Sequence, residues 1–345
     1  MKHTIVFHIG LEKTGTDSFQ RFCNENRRLL GKYSVLYPTN NQAFSLYNHA
    51  ALAACYLPYR DFSIGGRQRR RADVVRTLQR EIDRSEASTV IVSSEHLSSR
   101  FGRNEIAALA SDFSDYECRI AIVVRDHLAR IRSAYAQTII AGRFLTVDEF
   151  CAELARPGNN YARYRETIEP WEESFGKSRI NIFVHTQGRN IIEALCAAFV
   201  SPAMPLGDLD AYRDNRSLGA GAIEALRLVN KSLARPGQNK IDVSRNLVKW
   251  ALLYRLRANI IKTLVKNTPD QADDPVTLGE RNIALFREIA EADCRWLAER
   301  YGVELPMPSG TESDNARSAA AVGEAKALIE RTLAGRLTKI FQAGR

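Results

Sequence analysis

The residues best suited to chemistry lie in a short polar stretch close to the N-terminus. The stretch begins at Gly10 and ends at Ser18, and its other members include Lys13, Thr14, Gly15, Thr16 and Asp17. Backbone N–H groups of such a loop can turn inward beside the full charge of a lysine, and hydroxyls add further donors. The stretch therefore predicts a site for a phosphate or a chemically similar anion.

The elements around this stretch are those that an anion site needs. Residues 4–9 form a β-branched and aromatic run, and an amphipathic helical pattern begins after Ser18. The order strand, loop and helix puts the loop at a helix N-terminus, where the helix dipole adds partial positive charge. On this pattern alone a tight turn with a solvated lysine stays open as the alternative.

The position of the lysine argues against an ordinary nucleotide-binding P-loop. That loop reads G-x-x-x-x-G-K-[ST], with the lysine directly after the second glycine. Here Thr16 occupies that position, and the lysine comes earlier, at Lys13. We therefore expect a poor ATPase or kinase loop.

A second group of polar residues follows an apolar run at 89–92. The run does not alternate with polar residues, which predicts a strand buried on both faces, as in a parallel sheet. In open α/β sheets the ligand crevice lies at the carboxyl ends of the strands. Glu95 and His96 follow this strand, and Glu95 is a candidate general base for an acceptor hydroxyl. A Glu95 that only caps the next turn is the alternative.

The third strand, predicted at 120–124, leads into Arg125. A helix is expected from about His127, which places Ser133 two turns into it. Both side chains could bind one phosphate, the arginine by a bidentate charged contact and the serine by its hydroxyl.

Taken together, these stretches resemble the two signatures of sulfotransferases that use 3′-phosphoadenosine 5′-phosphosulfate (PAPS). Residues 8–16 resemble the 5′-phosphosulfate loop, whose core is Lys-Thr-Gly-Thr, and Arg125 with Ser133 matches the signature that binds the 3′-phosphate. The resemblance covers residues 1–200 and is to bacterial, carbohydrate-type enzymes. It implies a PAPS donor, a PAP product and these donor-binding residues: Lys13, Thr14, Gly15, Thr16, Asp17, Ser18, Arg125 and Ser133.

The resemblance also implies roles in transfer. Lys13 would stabilise the leaving phosphate, and Glu95 would accept the proton of an acceptor hydroxyl. His49 is predicted to face the acceptor as a catalytic or substrate-binding residue, with a helix-surface histidine as the alternative. His96 is predicted to contact the acceptor, and no metal is expected.

Two residues depart from the family pattern. His127 stands where proline is usual, which is a mild change because proline there mainly favours the first helical turn. Asp17 stands where a second threonine is usual. A carboxylate suits a helix N-terminus, but it would repel a phosphate unless it points away.

Composition limits the setting and the partners. The chain has 345 residues and a net charge of +9, which suits an anionic ligand. No apolar run approaches the ~18 residues that span a bilayer, and no secretory signal pattern is present, so we expect a cytoplasmic protein. Six cysteines are widely spread, which favours buried thiols over a metal site or disulfides.

A basic cluster at 67–71 has two interpretations. Its arginines could hold an acidic glycan acceptor, or they could be the solvated start of the next helix. Nucleic acid is not expected as a partner, because the cluster lacks interleaved aromatic residues.

The overall prediction is an α/β fold with a doubly wound, mainly parallel sheet and a P-loop-like phosphosulfate loop. Residues 1–200 would form the PAPS-binding core. Residues 201–345 would form a helical extension that completes the same domain or covers the acceptor site. Two other functions stay open: a P-loop nucleotide kinase or hydrolase, and a non-catalytic binding protein for an acidic polymer.

Overall fold

The structure, a computed structural model, describes most of the chain. The described residues are 3–39, 47–58, 70–186, 190–212, 218–234, 238, 240–241, 247–269, 275–307 and 322–331. The chain divides into two compact units that interleave along the sequence. The first unit comprises Met1–Asp126, Asn160–Asp214 and Ile289–Met307, and the second comprises His127–Asn159, Asn215–Glu288 and Pro308–Arg345.

The first unit is built on a five-stranded parallel sheet. Its strands are β1 (Thr4–His8), β2 (Val35–Leu36), β3 (Thr89–Ser93), β4 (Glu117–Arg125) and β5 (Ile180–His185). Their order in the sheet is β2-β3-β1-β4-β5, and every neighbouring pair is parallel. The chain therefore winds first to one side of β1 and then to the other, as predicted for a doubly wound sheet.

Helices connect the strands and fill the second unit. In chain order they are α1 (Thr16–Glu25), α2 (Arg27–Lys32), α3 (Ala50–Tyr56), α4 (Arg71–Asp83), α5 (His96–Arg100), α6 (Arg103–Asp112), α7 (His127–Ile140), α8 (Val147–Leu154), α9 (Tyr164–Phe175), α10 (Ile191–Phe199), α11 (Ala220–Leu233), α12 (Leu247–Asn267) and α13 (Glu280–Tyr301). Residues 322–331 are also helical. Among the described residues, no helix combines the length and the apolar character needed to cross a membrane.

Both faces of the sheet are buried, which explains the unbroken apolar runs of the strands. On one face Val6, Ile91 and Val123 pack into a core with residues of α1, α2 and α10. On the other face Phe7 and Val92 pack with residues of α3, α4, α6 and α9. Alternate residues of each strand thus belong to opposite cores, as the two-residue period of a strand requires.

The strand register brings four polar side chains to the same end of the sheet. His8 pairs with Ser93 at the ends of β1 and β3. The strands β4 and β5 continue beyond β1, and their last residues, Arg125 and His185, pair with each other. The crevice expected at the carboxyl ends of the strands is therefore lined by polar residues of four strands.

A buried asparagine organises the second unit. The side chain of Asn230 in α11 donates to the carbonyl oxygens of Ile139 (2.7 Å) and Arg143 (2.8 Å), at the C-terminal end of α7. Its Oδ1 accepts a hydrogen bond from Arg257 Nε of α12 at 3.0 Å. One side chain thus contacts two main-chain carbonyls near the end of α7 and the arginine of α12, and so links three helices.

Candidate functional site

The loop between β1 and α1 has a backbone that is held in the left-handed region at three positions. The φ angles are 39° at Gly10, 70° at Lys13 and 88° at Gly15. A Cβ atom on Gly10 would lie 2.4 Å from Thr16 Oγ1, and one on Gly15 would lie 2.8 Å from Ile191 Cγ2. The loop packs so closely on its surroundings that glycine is required at both positions, while Lys13 adopts a conformation that is uncommon for a residue with a side chain.

The threonine hydroxyls of the loop serve the loop itself. The Thr14 side chain is buried, and its hydroxyl donates to the carbonyl oxygen of Leu11 at 2.6 Å. The Thr16 hydroxyl points to the same carbonyl at 3.4 Å. The prediction that these hydroxyls donate to an anion is therefore not met in this arrangement. The donors suited to an anion are the first-turn amides of α1, which have no acceptor within the helix.

Arg125 connects the end of β4 to this loop. Its Nη1 donates to the carbonyl oxygen of Lys13 at 3.2 Å. Its main chain is fixed by Tyr164, whose hydroxyl accepts from Arg125 N at 3.3 Å and also donates to the Arg125 carbonyl. Tyr164 is fixed in turn because Asp293 accepts its main-chain N–H at 2.7 Å. The guanidinium is thereby placed beside the loop by a chain of buried contacts.

The two cations of this region are partly desolvated. Burial lowers the pKa of Lys13 below 10.5, an effect that Asp17 and Glu12 oppose and Arg125 reinforces. Burial also lowers the pKa of Arg125. Two positive charges that have lost part of their hydration are an arrangement that an anion would stabilise, because it restores the electrostatic stabilisation lost with water. The residues present therefore fit a phosphate or sulfate group at the loop.

Glu95 lies at the end of β3 with both carboxylate oxygens near amide donors. Gln20 Nε2 lies 3.0 Å from Oε2, and Asn48 Nδ2 lies 3.4 Å from Oε1. His96 Nε2 is 3.6 Å from Oε1. The Glu95 side chain is only 18% exposed and makes no capping hydrogen bond to α5. Glu95 stands at the N-cap position of α5, but its carboxylate lies beside Gln20 and Asn48, so the alternative in which it only caps the next turn is wrong.

His49 is a buried structural residue in this fold. Its Nδ1 accepts the Ser93 N–H at 3.0 Å, and its Nε2 lies 3.1 Å from the Pro38 carbonyl oxygen. Burial lowers its pKa to about 4, so the ring is neutral. Both ring nitrogens contact main-chain atoms. The side chain is therefore neither on a helix surface nor available to an acceptor substrate. We therefore remove His49 from the candidate catalytic and substrate-binding residues.

The remaining predicted residues lie at the edge of the site. Asp17 lies in the first turn of α1, and its pKa is raised first by partial desolvation and then by Glu95, with Lys13 acting in the opposite direction. Ser18 follows it and is half-buried. His96 is half-buried, and burial lowers its pKa while Glu95 raises it.

Ser133 and Arg125 belong to different units. The boundary falls between Asp126 and His127. Arg125 is the last residue of β4 and belongs to the first unit, whereas Ser133 lies in α7 of the second unit. Their joint contact with one phosphate stays a prediction.

Three polar residues of this region were not identified from the sequence. Gln20 and Asn48 contact Glu95, and His8 places its Nδ1 2.7 Å from Ser93 Oγ. Burial lowers the pKa of His8 to about 3. Gln20 follows Phe19 in a helix whose other buried side chains are mostly apolar. An amide on such a face needs a hydrogen-bond partner, and this was the feature of the sequence that could have identified Gln20.

Comparison with models of protein families gives no match, and comparison with curated protein sequences gives none either. The functional argument therefore depends on the residues and the geometry of the site.

Proposed function

We propose that this protein is a sulfotransferase that moves the sulfuryl group of PAPS to a hydroxyl of a carbohydrate or glycolipid. One observation carries the proposal: at one end of the sheet, Lys13 and Arg125 meet at a glycine-bounded loop, and the Glu95 carboxylate stands at the end of the adjacent strand. Donor recognition by cations and proton removal by a carboxylate are the two tasks that such a transfer requires.

At the donor side, the 5′-phosphosulfate would lie against the first-turn amides of α1. The donor supplies an activated sulfuryl group, which leaves as its bond to the bridging oxygen breaks. Lys13 stabilises the negative charge that grows on the phosphate of PAP during this step. Arg125 binds the 3′-phosphate, and Ser133 is its second contact according to the resemblance alone.

At the acceptor side, Glu95 acts as the general base. As the acceptor oxygen bonds to sulfur, its proton passes to the Glu95 carboxylate, so the products are a sulfate ester, PAP and a protonated Glu95. His96, beside Glu95, contacts the acceptor. A glycan acceptor and a cytoplasmic location are parts of the proposal that follow from the resemblance to bacterial enzymes.

A non-catalytic binding protein is the second candidate, and Asp17 favours it. A carboxylate in the first turn of α1 raises the electrostatic cost of bound phosphate, which could leave binding without turnover. A P-loop kinase is disfavoured because Thr16 replaces the required lysine.

Turnover separates these functions. We predict release of PAP from PAPS in the presence of oligosaccharide acceptors, and a loss of about 100-fold or more in Lys13→Ala and in Glu95→Gln, because each removes a charge that acts in the transition state. Lys32→Ala, which changes an exposed lysine of α2, is the matched control and should keep the wild-type rate. Full activity of Lys13→Ala would reject the proposed mechanism.

A further inference from the structure

We infer that Gln20 is a positioning residue that holds the Glu95 carboxylate in its reactive orientation, with Asn48 as a second support. The inference rests on the proposed function, since it assigns Gln20 and Asn48 to the base of that reaction. Neither residue was part of the pattern that led to the proposal.

The location of Gln20 requires a polar partner. Its side chain is 1% exposed and lies in α1 among Phe19, Phe22 and Cys23. Burying an amide in such surroundings is unfavourable unless it is hydrogen-bonded. The partner is Glu95 Oε2, at 3.0 Å from Gln20 Nε2.

The orientation of Asn48 is fixed by the main chain. Its Oδ1 accepts the Ala50 N–H at 3.1 Å at the start of α3. Because an N–H can be satisfied only by the oxygen end of the amide, the NH₂ end must face Glu95 Oε1, at 3.4 Å. Glu95 therefore has one amide donor near each carboxylate oxygen, and His96 Nε2 also lies 3.6 Å from Oε1.

Neutral amides suit a general base better than a lysine or arginine partner would. Their hydrogen bonds fix the plane of the carboxylate, and a neutral donor adds no formal charge beside the base. Gln20 also lies in α1, whose first turn follows the anion loop directly. One helix therefore fixes the position of the base relative to the donor site.

The test is the steady-state rate of PAP release from PAPS with an oligosaccharide acceptor, measured at one pH. Gln20→Met keeps the length of the side chain and removes the donor. We expect kcat to fall about tenfold, because the base is no longer held in its reactive position, while the KM for PAPS stays within about twofold. The affinity for PAP, measured by calorimetry, should stay within about twofold, since Gln20 acts on the base.

Two further variants separate positioning from simple support of the fold. Asn48→Asp keeps the oxygen that accepts the Ala50 N–H but replaces the donor with an acceptor, so it should also lower kcat. Gln79→Met is the matched control. Gln79 Nε2 donates to the Asp112 carbonyl oxygen at 2.8 Å in α6, distant in the fold from Glu95, and its loss should leave kcat unchanged.

The outcomes are distinct. A wild-type kcat in both Gln20→Met and Asn48→Asp would overturn the inference and leave the proposed function intact. If Gln20→Met does not fold, Asn48→Asp alone decides. A wild type that releases no PAP with the oligosaccharide acceptors would overturn the proposed function and the inference together.

Discussion

At the scale of single residues, the loop depends on backbone conformations that few side chains allow. Gly15 has φ 88°, and a Cβ atom there would lie 2.8 Å from Ile191 Cγ2. Because a residue with a side chain is strained there and also collides with Ile191, the glycine is a structural requirement of the proposed anion site.

We predict that Gly15→Ala lowers the free energy of unfolding by about 1–3 kcal/mol, through strain and overlap together. Gly31→Ala is the control, since its Cβ atom would meet nothing within 4 Å and Gly31 lies inside α2. That variant should be neutral or more stable by about 0.5–1 kcal/mol, because alanine favours helix. Urea unfolding measures both, and equal effects would contradict the close packing described for the loop.

His49 gives the protein a pH-dependent stability. Its pKa is lowered to about 4 by burial, against about 6.5 in the unfolded chain, so the unfolded state binds the proton more readily. The free energy of unfolding therefore decreases as pH falls from about 6.5 toward 4, at roughly 1.4 kcal/mol per pH unit for this group.

We predict that His49→Gln, which has one titrating group fewer, loses stability less steeply over this range than the wild type. Urea unfolding at several pH values between 7 and 4 tests this, with the slope as the readout. Identical slopes would show that His49 is accessible to protons in the folded state.

At the scale of secondary structure, the strands could be predicted and the side-chain contacts could not. The apolar runs that became β1, β3, β4 and β5 are unbroken because both sheet faces are buried, and this pattern is visible in the sequence. The edge at which Glu95 and Arg125 lie follows from strand polarity. The links from Gln20 and Asn48 to Glu95 join residues far apart in sequence, so no local pattern encodes them.

His49 and the loop threonines illustrate the same limit. Which way a histidine ring or a hydroxyl points depends on nearby main-chain groups, such as the Ser93 N–H and the Leu11 carbonyl. Those neighbours become known only when the chain is folded. The spacing of residues in the sequence predicts a helix or strand, but it does not predict which main-chain groups lie beside a given side chain.

In the second unit, Asn230 is a buried polar position that can be tested. Asn230→Leu would remove its hydrogen bonds to the carbonyls of Ile139 and Arg143 and from Arg257. We predict a loss of about 1–3 kcal/mol in the free energy of unfolding, because three hydrogen bonds are lost while the Ile139 carbonyl keeps the Gly142 N–H and Arg257 keeps the Ile139 carbonyl. Asn267→Ala, at an exposed asparagine of α12, should change it by less than about 0.5 kcal/mol. Similar losses in the two variants would contradict the central role of Asn230.

At the scale of the whole molecule, the sheet order explains why the candidate groups share one location. Winding reverses around β1, so the loop after β1 lies between the ends of β3 and β4, where open α/β sheets bind ligands. The net charge of +9 favours an anionic ligand in general. The choice of PAPS over other phosphate compounds depends on recognition of a 3′-phosphate, which we assign to Arg125.

The most direct test is therefore the thermal shift caused by PAP, compared with ATP plus magnesium and with AMP. At about 100 times its dissociation constant, PAP should add about 2.7 kcal/mol to the stability of the wild type. Arg125→Ala should abolish this shift, and Arg119→Ala, at an exposed arginine of the same strand, should retain it. A larger shift with ATP and magnesium, or no shift with PAP, would contradict the account.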